Sequence, residues 1–137
     1  MIPIENISGQ VVGFTGRIFN GEDAAKYVNT KETTIFKKSN ILFNYHNARK
    51  YIRDEKSVIV VEGNMDAIKL SARGIKNVVA LQGVALSNYQ IDTLKKLKVP
   101  VILMLDNDQA GLDATLKNGQ YLQSASVNTL VDRKSVV

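Results

Sequence analysis

Short, uninterrupted apolar runs that alternate with amphipathic segments constrain the fold of this chain more than any other feature of its sequence. Three such runs are Val58 to Val61, Val78 to Leu81 and Val101 to Leu105, all rich in β-branched residues or leucine. Runs of this length without polar residues are typical of strands covered on both faces. A helix is predicted from about Ala110 to Leu122, and a weaker apolar pattern at Val127 to Val131 is compatible with one more strand.

The segments between these runs carry helix signals. Apolar residues recur in both segments at helical spacing, and the second begins with Ser87 and Gln90 at the spacing of a capping box. The first segment ends at Gly74, a residue type that commonly terminates helices, and Pro100 precedes the third run. The order β-α-β-α-β, followed by a helix, predicts an α/β fold with a parallel sheet flanked by helices.

The first part of the chain lacks this pattern. Ile2 to Ile4 and Gln10 to Phe14, joined by turn-forming residues, predict a hairpin, and the apolar spacing from Asn40 to Arg53 is closer to helical. The pattern changes near Asp54 to Ser57. We therefore divide the chain into a small, basic N-terminal subdomain of mixed β and α structure, residues 1–56, and an α/β domain, residues 57–137.

Length and composition exclude several classes of protein. The 137 residues, 45% of them apolar, suit about one packed domain. No run of about 18 apolar residues and no signal-peptide pattern occurs, so we expect a cytoplasmic protein without membrane contact. The absence of cysteine excludes disulfides, thiolate zinc sites and cysteine nucleophiles, and the single histidine, His46, excludes a histidine cluster.

A basic stretch interleaved with aromatic residues suggests a polyanionic partner. The formal net charge is +5, and no acidic residue occurs between Phe36 and Arg53. Basic and aromatic side chains together can follow a phosphate backbone and stack on bases. The alternative is a solvated helix face above a few core aromatic residues, and the charge alone does not decide between the two.

Acidic residues follow two of the predicted strands. Glu62 comes directly after the first run, and Asp106 and Asp108 come after the third. Ligands of open parallel sheets gather at the carboxyl ends of strands. If strand geometry continued to Asp108, the two aspartates would point the same way. Clustered carboxylates repel one another, which raises at least one pKa unless a cation neutralises them, and their oxygens suit Mg²⁺.

Helix capping is the competing interpretation of these side chains. An Asp or Asn after a strand is most often the N-cap of the next helix, which would account for Asn64, Asp66 or Asp108 taken singly. Capping accounts poorly for Glu62, because Glu is a weak N-cap residue. The nearby glycines Gly63 and Gly111, which leave backbone room beside the carboxylates, also favour a binding site.

Two motifs resemble a known family. Val60 to Asp66 (VVEGNMD) and Leu105 to Gly111 (LDNDQAG) are similar to the two signature motifs of the TOPRIM domain, with the closest similarity to bacterial replicative primases of the DnaG type. The resemblance implies a TOPRIM-type fold and divalent metal, Mg²⁺ or Mn²⁺, without zinc. It assigns metal binding to Glu62, Asp106 and Asp108, and a supporting role to Asp66.

The N-terminal part also resembles these primases, since segments 13–17, 26–30 and 36–38 follow the primase order and spacing. This resemblance implies contacts with single-stranded template DNA or nucleoside triphosphates. The residues to which it assigns those contacts are Arg17, Lys26, Asn29, Lys37 and Lys38.

The chain also departs from the family pattern. Asn107, Gln109 and Leu112 stand where primases often have Gly, Arg and Arg, and the last acidic pair of the family is reduced to Asp132. The family's zinc-binding domain and helicase-binding domain have no counterpart in these residues, so the sequence predicts a fragment, a truncated gene product or a degenerate relative of a primase core.

The resemblance implies a nucleotidyltransferase of DNA replication, which synthesises short RNA primers on a template. In its present length the chain could be inactive even with an intact metal site. Two alternatives stay open: another TOPRIM enzyme such as a nuclease or topoisomerase, and an inactive nucleic-acid-binding module.

Overall fold

The N-terminal residues form a three-stranded antiparallel sheet. The computed structural model describes residues 2–17, 27–29, 32–33, 36–82 and 85–132, with backbone alone for residues 17 and 27–29. The strands are β1 (Ile2–Glu5), β2 (Val11–Arg17) and β3 (Tyr27–Asn29), in the order β1-β2-β3. The predicted hairpin is confirmed. Its turn is held by Asn6, whose Oδ1 accepts the backbone N–H groups of Ser8 and Gln10, both at 3.0 Å.

A short 3-10 turn (Lys38–Asn40) and helix α1 (Tyr45–Glu55) connect this sheet to the rest of the chain. The predicted helical segment began at Asn40, but the helix begins at Tyr45. Phe43 is extended instead, because its N–H and C=O groups pair with those of Ala80 at 2.9 and 3.1 Å. The backbone pairing at the edge of the second sheet therefore delays the start of the helix.

The second part of the chain forms a four-stranded parallel sheet. Its strand order is β5-β4-β6-β7, and all neighbouring pairs are parallel. The three apolar runs are confirmed as strands, although the second ends one residue early and the third two residues early. The weaker pattern near the end of the chain is a strand as well. The strands are β4 (Val58–Val61), β5 (Val78–Ala80), β6 (Val101–Leu103) and β7 (Thr129–Val131).

Helices cover both faces of the parallel sheet, as predicted. They are α2 (Asn64–Ala72), α3 (Asn88–Lys96) and α4 (Gln109–Ser124). One face, with Val58, Val60 and Leu103, packs with buried residues of α1, α3 and α4. The other face packs with α2 and with β1 of the antiparallel sheet. Each crossover thus brings the chain back to the same edge of the sheet, where all four strands end.

Helix α1 links the two parts of the chain, because Ala48 and Ile52 are buried together with Val58 and Val60. The division at residue 56 stays a prediction, and the structure adds that α1 shares the core of the parallel sheet. Within the described ranges, no helix is both long and apolar enough to cross a membrane.

Candidate metal site at the sheet edge

A hydrogen bond joins two of the predicted acidic residues, Glu62 and Asp106. Glu62 directly follows β4, and Asp106 lies three residues beyond β6, the neighbouring strand. The Glu62 side chain accepts a hydrogen bond from the backbone N–H of Asp106, with 3.4 Å between Oε1 and N. Both residues are partly buried. The fold therefore brings together two predicted site residues that are 44 positions apart.

Asp108 is the N-cap of α4. Its Oδ1 accepts the backbone N–H of Gly111 at 2.7 Å, and the residue is exposed. Strand β6 ends at Leu103, so strand geometry does not continue to Asp108. The prediction that Asp106 and Asp108 point the same way by strand alternation is therefore wrong. The capping interpretation is confirmed for this residue. Capping uses one carboxylate oxygen, and the second remains chemically able to bind a cation, so metal binding by Asp108 stays a prediction.

Gly111 allows α4 to start directly against the site. A Cβ built on Gly111 would lie 1.8 Å from the carbonyl oxygen of Asp106 and 2.5 Å from its carbonyl carbon. No side chain fits in that space, so the glycine is required by close backbone approach. The first turn of α4 therefore fixes the position of the Asp106 peptide.

Asp66 lies in the first turn of α2, next to the backbone that follows Glu62. A Cβ built on Gly63, the N-cap of α2, would lie 3.4 Å from Asp66 Oδ2. A carboxylate at this end of a helix interacts favourably with the helix dipole. The supporting role of Asp66 stays a prediction.

The donors at this edge are carboxylate oxygens, which suit a hard divalent cation. In the described part of the chain, however, no group of three or more His, Asp or Glu side chains is arranged to hold a metal ion. Magnesium commonly binds through one or two carboxylates and keeps several waters. The Glu62 and Asp106 pair fits that mode of binding better than a closed cage of protein ligands.

Two amides lie at the same edge, and the sequence suggested a role for only one of them, Asn64, as a possible helix cap; the N-cap of α2 is instead Gly63. Gln82, just after β5, has a left-handed backbone with φ of 61°, and among the described residues neither polar atom of its buried side chain has a hydrogen-bond partner. Within the described part of the chain, the buried Oδ1 of Asn64 also has no hydrogen-bond partner. No sequence signal identifies such positions, because burial of these amides depends on how α2 and the strand ends pack.

The predicted nucleic-acid-binding residues are placed only in part. Lys37 is exposed, and Lys38, the first residue of the 3-10 turn, is partly exposed. Arg17 and Asn29 lie in the paired strands β2 and β3, where their backbones alone are described. Lys26 lies outside the described residues.

Comparisons with known proteins match both parts of the chain. Residues 1–49 match the family model for the N-terminal domain of the DNA primase catalytic core, and residues 59–135 match the Toprim-like model. The DNA primase of Staphylococcus aureus strain MSSA476 is 44% identical over 131 residues. That alignment covers 96% of this chain, which spans 22% of the length of the curated relative.

Solved structures show the same relationship. The zinc-binding and RNA polymerase domains of the Aquifex aeolicus primase superpose with a TM-score of 0.88 at 38% identity, covering 95% of this chain and 32% of that chain. A DnaG primase catalytic domain bound to ssDNA superposes with a TM-score of 0.74 at 37% identity, covering 83% of this chain and 36% of that one. The family resemblance and the fold class predicted from the sequence are both confirmed. The chain belongs to the DnaG-type DNA primase family, and it carries part of the catalytic core with a Toprim-like domain.

Proposed function

We propose that this chain is a catalytic-core portion of a DNA primase, which synthesises short RNA primers from nucleoside triphosphates on single-stranded DNA. One observation carries the proposal. Glu62 and Asp106 meet at the carboxyl edge of a parallel sheet in a chain that matches both primase family models. Such template-directed nucleotidyl transfer belongs to DNA replication and, in bacteria, to the cytoplasm.

Glu62, Asp106 and Asp108 are the proposed metal ligands, with Asp66 as a supporting residue. Bound Mg²⁺ or Mn²⁺ would neutralise charge on the triphosphate and on the oxygens that attack and leave. The protein would hold the carboxylates in place. Asp108 is held by its capping bond to Gly111, and Glu62 is held by its bond to the Asp106 backbone.

The basic residues of the N-terminal part are the proposed contacts for template and nucleotide phosphates. A related DnaG catalytic domain is known bound to ssDNA. Arg17, Lys26, Lys37 and Lys38 would bind phosphates mainly through charge, so binding should weaken steeply as salt concentration rises. Asn29, the fifth proposed residue, would contribute hydrogen bonds. The family resemblance further implies a replicative helicase as the partner of full-length primases.

Metal binding and primer synthesis should be measured separately. Mn²⁺ binding, followed by electron paramagnetic resonance, is expected to weaken in Glu62→Gln and Asp108→Asn. The matched control is Glu55→Gln, since Glu55 is exposed at the end of α1. Asn caps helices as well as Asp does, so Asp108→Asn removes charge and keeps the cap. Equal Mn²⁺ affinity in the wild type and all three variants would refute the metal site.

Primer synthesis on single-stranded DNA tests the activity itself. The expected result is a metal-dependent product that Glu62→Gln abolishes. The absence of a three-carboxylate group among the described residues favours a second candidate, an inactive module that binds nucleic acid. That candidate predicts salt-sensitive binding of ssDNA without any primer product. Metal-dependent cleavage of DNA, without primer synthesis, would instead indicate a nuclease-like TOPRIM enzyme.

A further inference from the structure

The side chain of Gln90 connects three separate segments of the chain. It lies in the first turn of α3 and is 2% exposed. Its Oε1 accepts the backbone N–H of Ser87 at 3.0 Å, which completes the predicted capping box. Its Nε2 donates to the carbonyl oxygens of Ile41 at 2.7 Å and Leu81 at 3.2 Å, and lies 3.4 Å from that of Lys38. The oxygen of the Gln90 amide therefore caps α3, and its nitrogen bonds the backbone of other segments.

The donor end of Gln90 is not needed for helix capping. A capping box accepts either Glu or Gln at this position, because only a side-chain oxygen is required. Glu would complete the box but would present no N–H group to the three carbonyls. The amide nitrogen therefore serves the contact between α3, the segment 38–41 and the end of β5.

A second bond from α3 reaches the same segment. Ser87 Oγ donates to the carbonyl oxygen of Ser39, the middle residue of the 3-10 turn. The backbone N–H of Lys38 is bound in turn by Glu32 Oε1 at 3.1 Å. The turn that carries Lys38 and follows Lys37 is thus held by side chains on two sides.

The same network reaches the candidate metal site. Leu81, whose carbonyl accepts from Gln90, donates its own N–H to Val61 at 3.0 Å. The next residue, Gln82, donates its N–H to the carbonyl of Glu62 at 3.2 Å. A continuous path of hydrogen bonds therefore runs from the Lys38 turn, through Gln90 and the end of β5, to the backbone of Glu62.

We propose that Gln90 is a positioning residue that holds the basic turn at Lys37 and Lys38 at a fixed place relative to the edge carrying Glu62. Phosphates bound by the two lysines would then lie in a defined position beside the metal carboxylates. The inference rests on the proposed function, because it gives the two lysines a nucleic-acid ligand. It assigns to Gln90 no contact with DNA, metal or nucleotide.

Gln90→Glu is the sharpest test, because it keeps the size of the side chain and the capping oxygen. Binding of a fluorescein-labelled oligothymidylate to the full chain should be followed by anisotropy over a range of salt concentrations. We expect the affinity to fall about tenfold. The slope of the logarithm of the binding constant against the logarithm of the salt concentration (the salt slope) should fall in magnitude by about 1, as for the loss of one or two phosphate contacts. The matched control, Gln123→Glu on the exposed side of α4, should bind like the wild type, apart from a small effect of its added charge.

The decisive comparison is made in a Lys37→Ala, Lys38→Ala background. If Gln90 acts by placing these lysines, Gln90→Glu has no effect on binding beyond the small effect of its added charge once they are gone. An equal loss in both backgrounds, or an unchanged salt slope, would overturn the proposal. If the role of Gln90 were only structural, the substitution would lower the melting temperature equally in both backgrounds, and its effect on DNA affinity would not depend on the two lysines.

A second variant covers the case in which Gln90→Glu does not fold. Ser87→Asp keeps an N-cap acceptor but removes the hydroxyl that donates to Ser39, so it should weaken binding in the same lysine-dependent way. Wild-type affinity in this folded variant would overturn the proposal if Gln90→Glu cannot be measured. Loss of binding in the double lysine variant, with none in Gln90→Glu, would refute the positioning role alone. A wild-type chain that does not bind the oligonucleotide would refute the proposed function as well.

Discussion

The contact between Gly111 and the Asp106 peptide makes Gly111→Ala a demanding test of the site geometry. The added Cβ would lie 1.8 Å from the Asp106 carbonyl oxygen, where real contacts are almost never below 3.0 Å. The two backbones would have to separate by at least about 1.2 Å. The bond between Glu62 Oε1 and Asp106 N is already 3.4 Å long. A shift of that size away from Glu62 would break it.

The expected losses follow from this displacement. Overpacking of a buried site costs about 1–3 kcal/mol, and for a chain of this length that corresponds to a fall in Tm of roughly 3–12 °C. If Asp106 helps to hold metal, Mn²⁺ affinity should fall about 10- to 100-fold, as when the support of a ligand is removed. Thermal unfolding by circular dichroism and Mn²⁺ titration measure the two effects independently.

Gly119→Ala is the matched control within the same helix. A Cβ on Gly119 would meet Leu103 Cδ1 at 4.0 Å, which is an ordinary contact. Alanine is preferred to glycine in a helix interior by up to about 1 kcal/mol, so this variant should melt a few degrees higher. Wild-type Tm and Mn²⁺ affinity in Gly111→Ala would refute the close approach. Equal losses in both variants would show that the effect does not come from the Asp106 contact.

Three further predictions concern stability. Asp108→Ala should lower the free energy of unfolding by about 1 kcal/mol through loss of the α4 cap, whereas Asp108→Asn should not; equal Tm values would contradict the capping bond. Burial raises the pKa of Tyr45 above 10.0. The folded state therefore favours the neutral phenol. The contribution of Tyr45 to the free energy of unfolding is fully present below pH 10 and is lost as the pH rises through the raised pKa. Tyr45→Phe should flatten the alkaline fall in the urea midpoint, and an unchanged slope would exclude the Tyr45 phenol as its source. Leu103→Ala, at a fully buried strand position, should cost about 2–5 kcal/mol in urea unfolding, and a cost below about 1 kcal/mol would contradict its place in the core.

Local signals predicted much of the fold. The apolar runs that became β4, β5 and β6 are recognisable because strand and helix periodicities are properties of neighbouring residues. The capping box at Ser87 and Gln90 was predicted for the same reason and is confirmed. The end of β6 was not predictable, because the run continues to Leu105 while the backbone leaves the sheet after Leu103.

The acidic residues show the limit of the same reasoning. Their place after strands predicted which edge of the sheet they occupy, and the family motifs predicted their chemistry. Neither signal could decide between capping and strand alternation for Asp108, because the choice depends on where α4 begins. Its bond to Gly111 resolves the geometry, and the role of Asp108 in metal binding stays a prediction.

The sequence by itself determined the order of helices and strands and the oxygen-rich character of the sheet edge, because both follow from local patterns of residue type. Tertiary structure decided the contacts that join distant segments. Gln90 reads in the sequence as a helix cap, yet its amide nitrogen bonds Ile41, 49 positions away. Gly111 indicated only that the backbone has room beside the acidic residues, and the fold shows that the Asp106 carbonyl occupies the space of its missing side chain. Both contacts arise because close packing brings together segments that are distant in sequence, and the residues next to Gln90 or Gly111 in the sequence do not determine which segments meet.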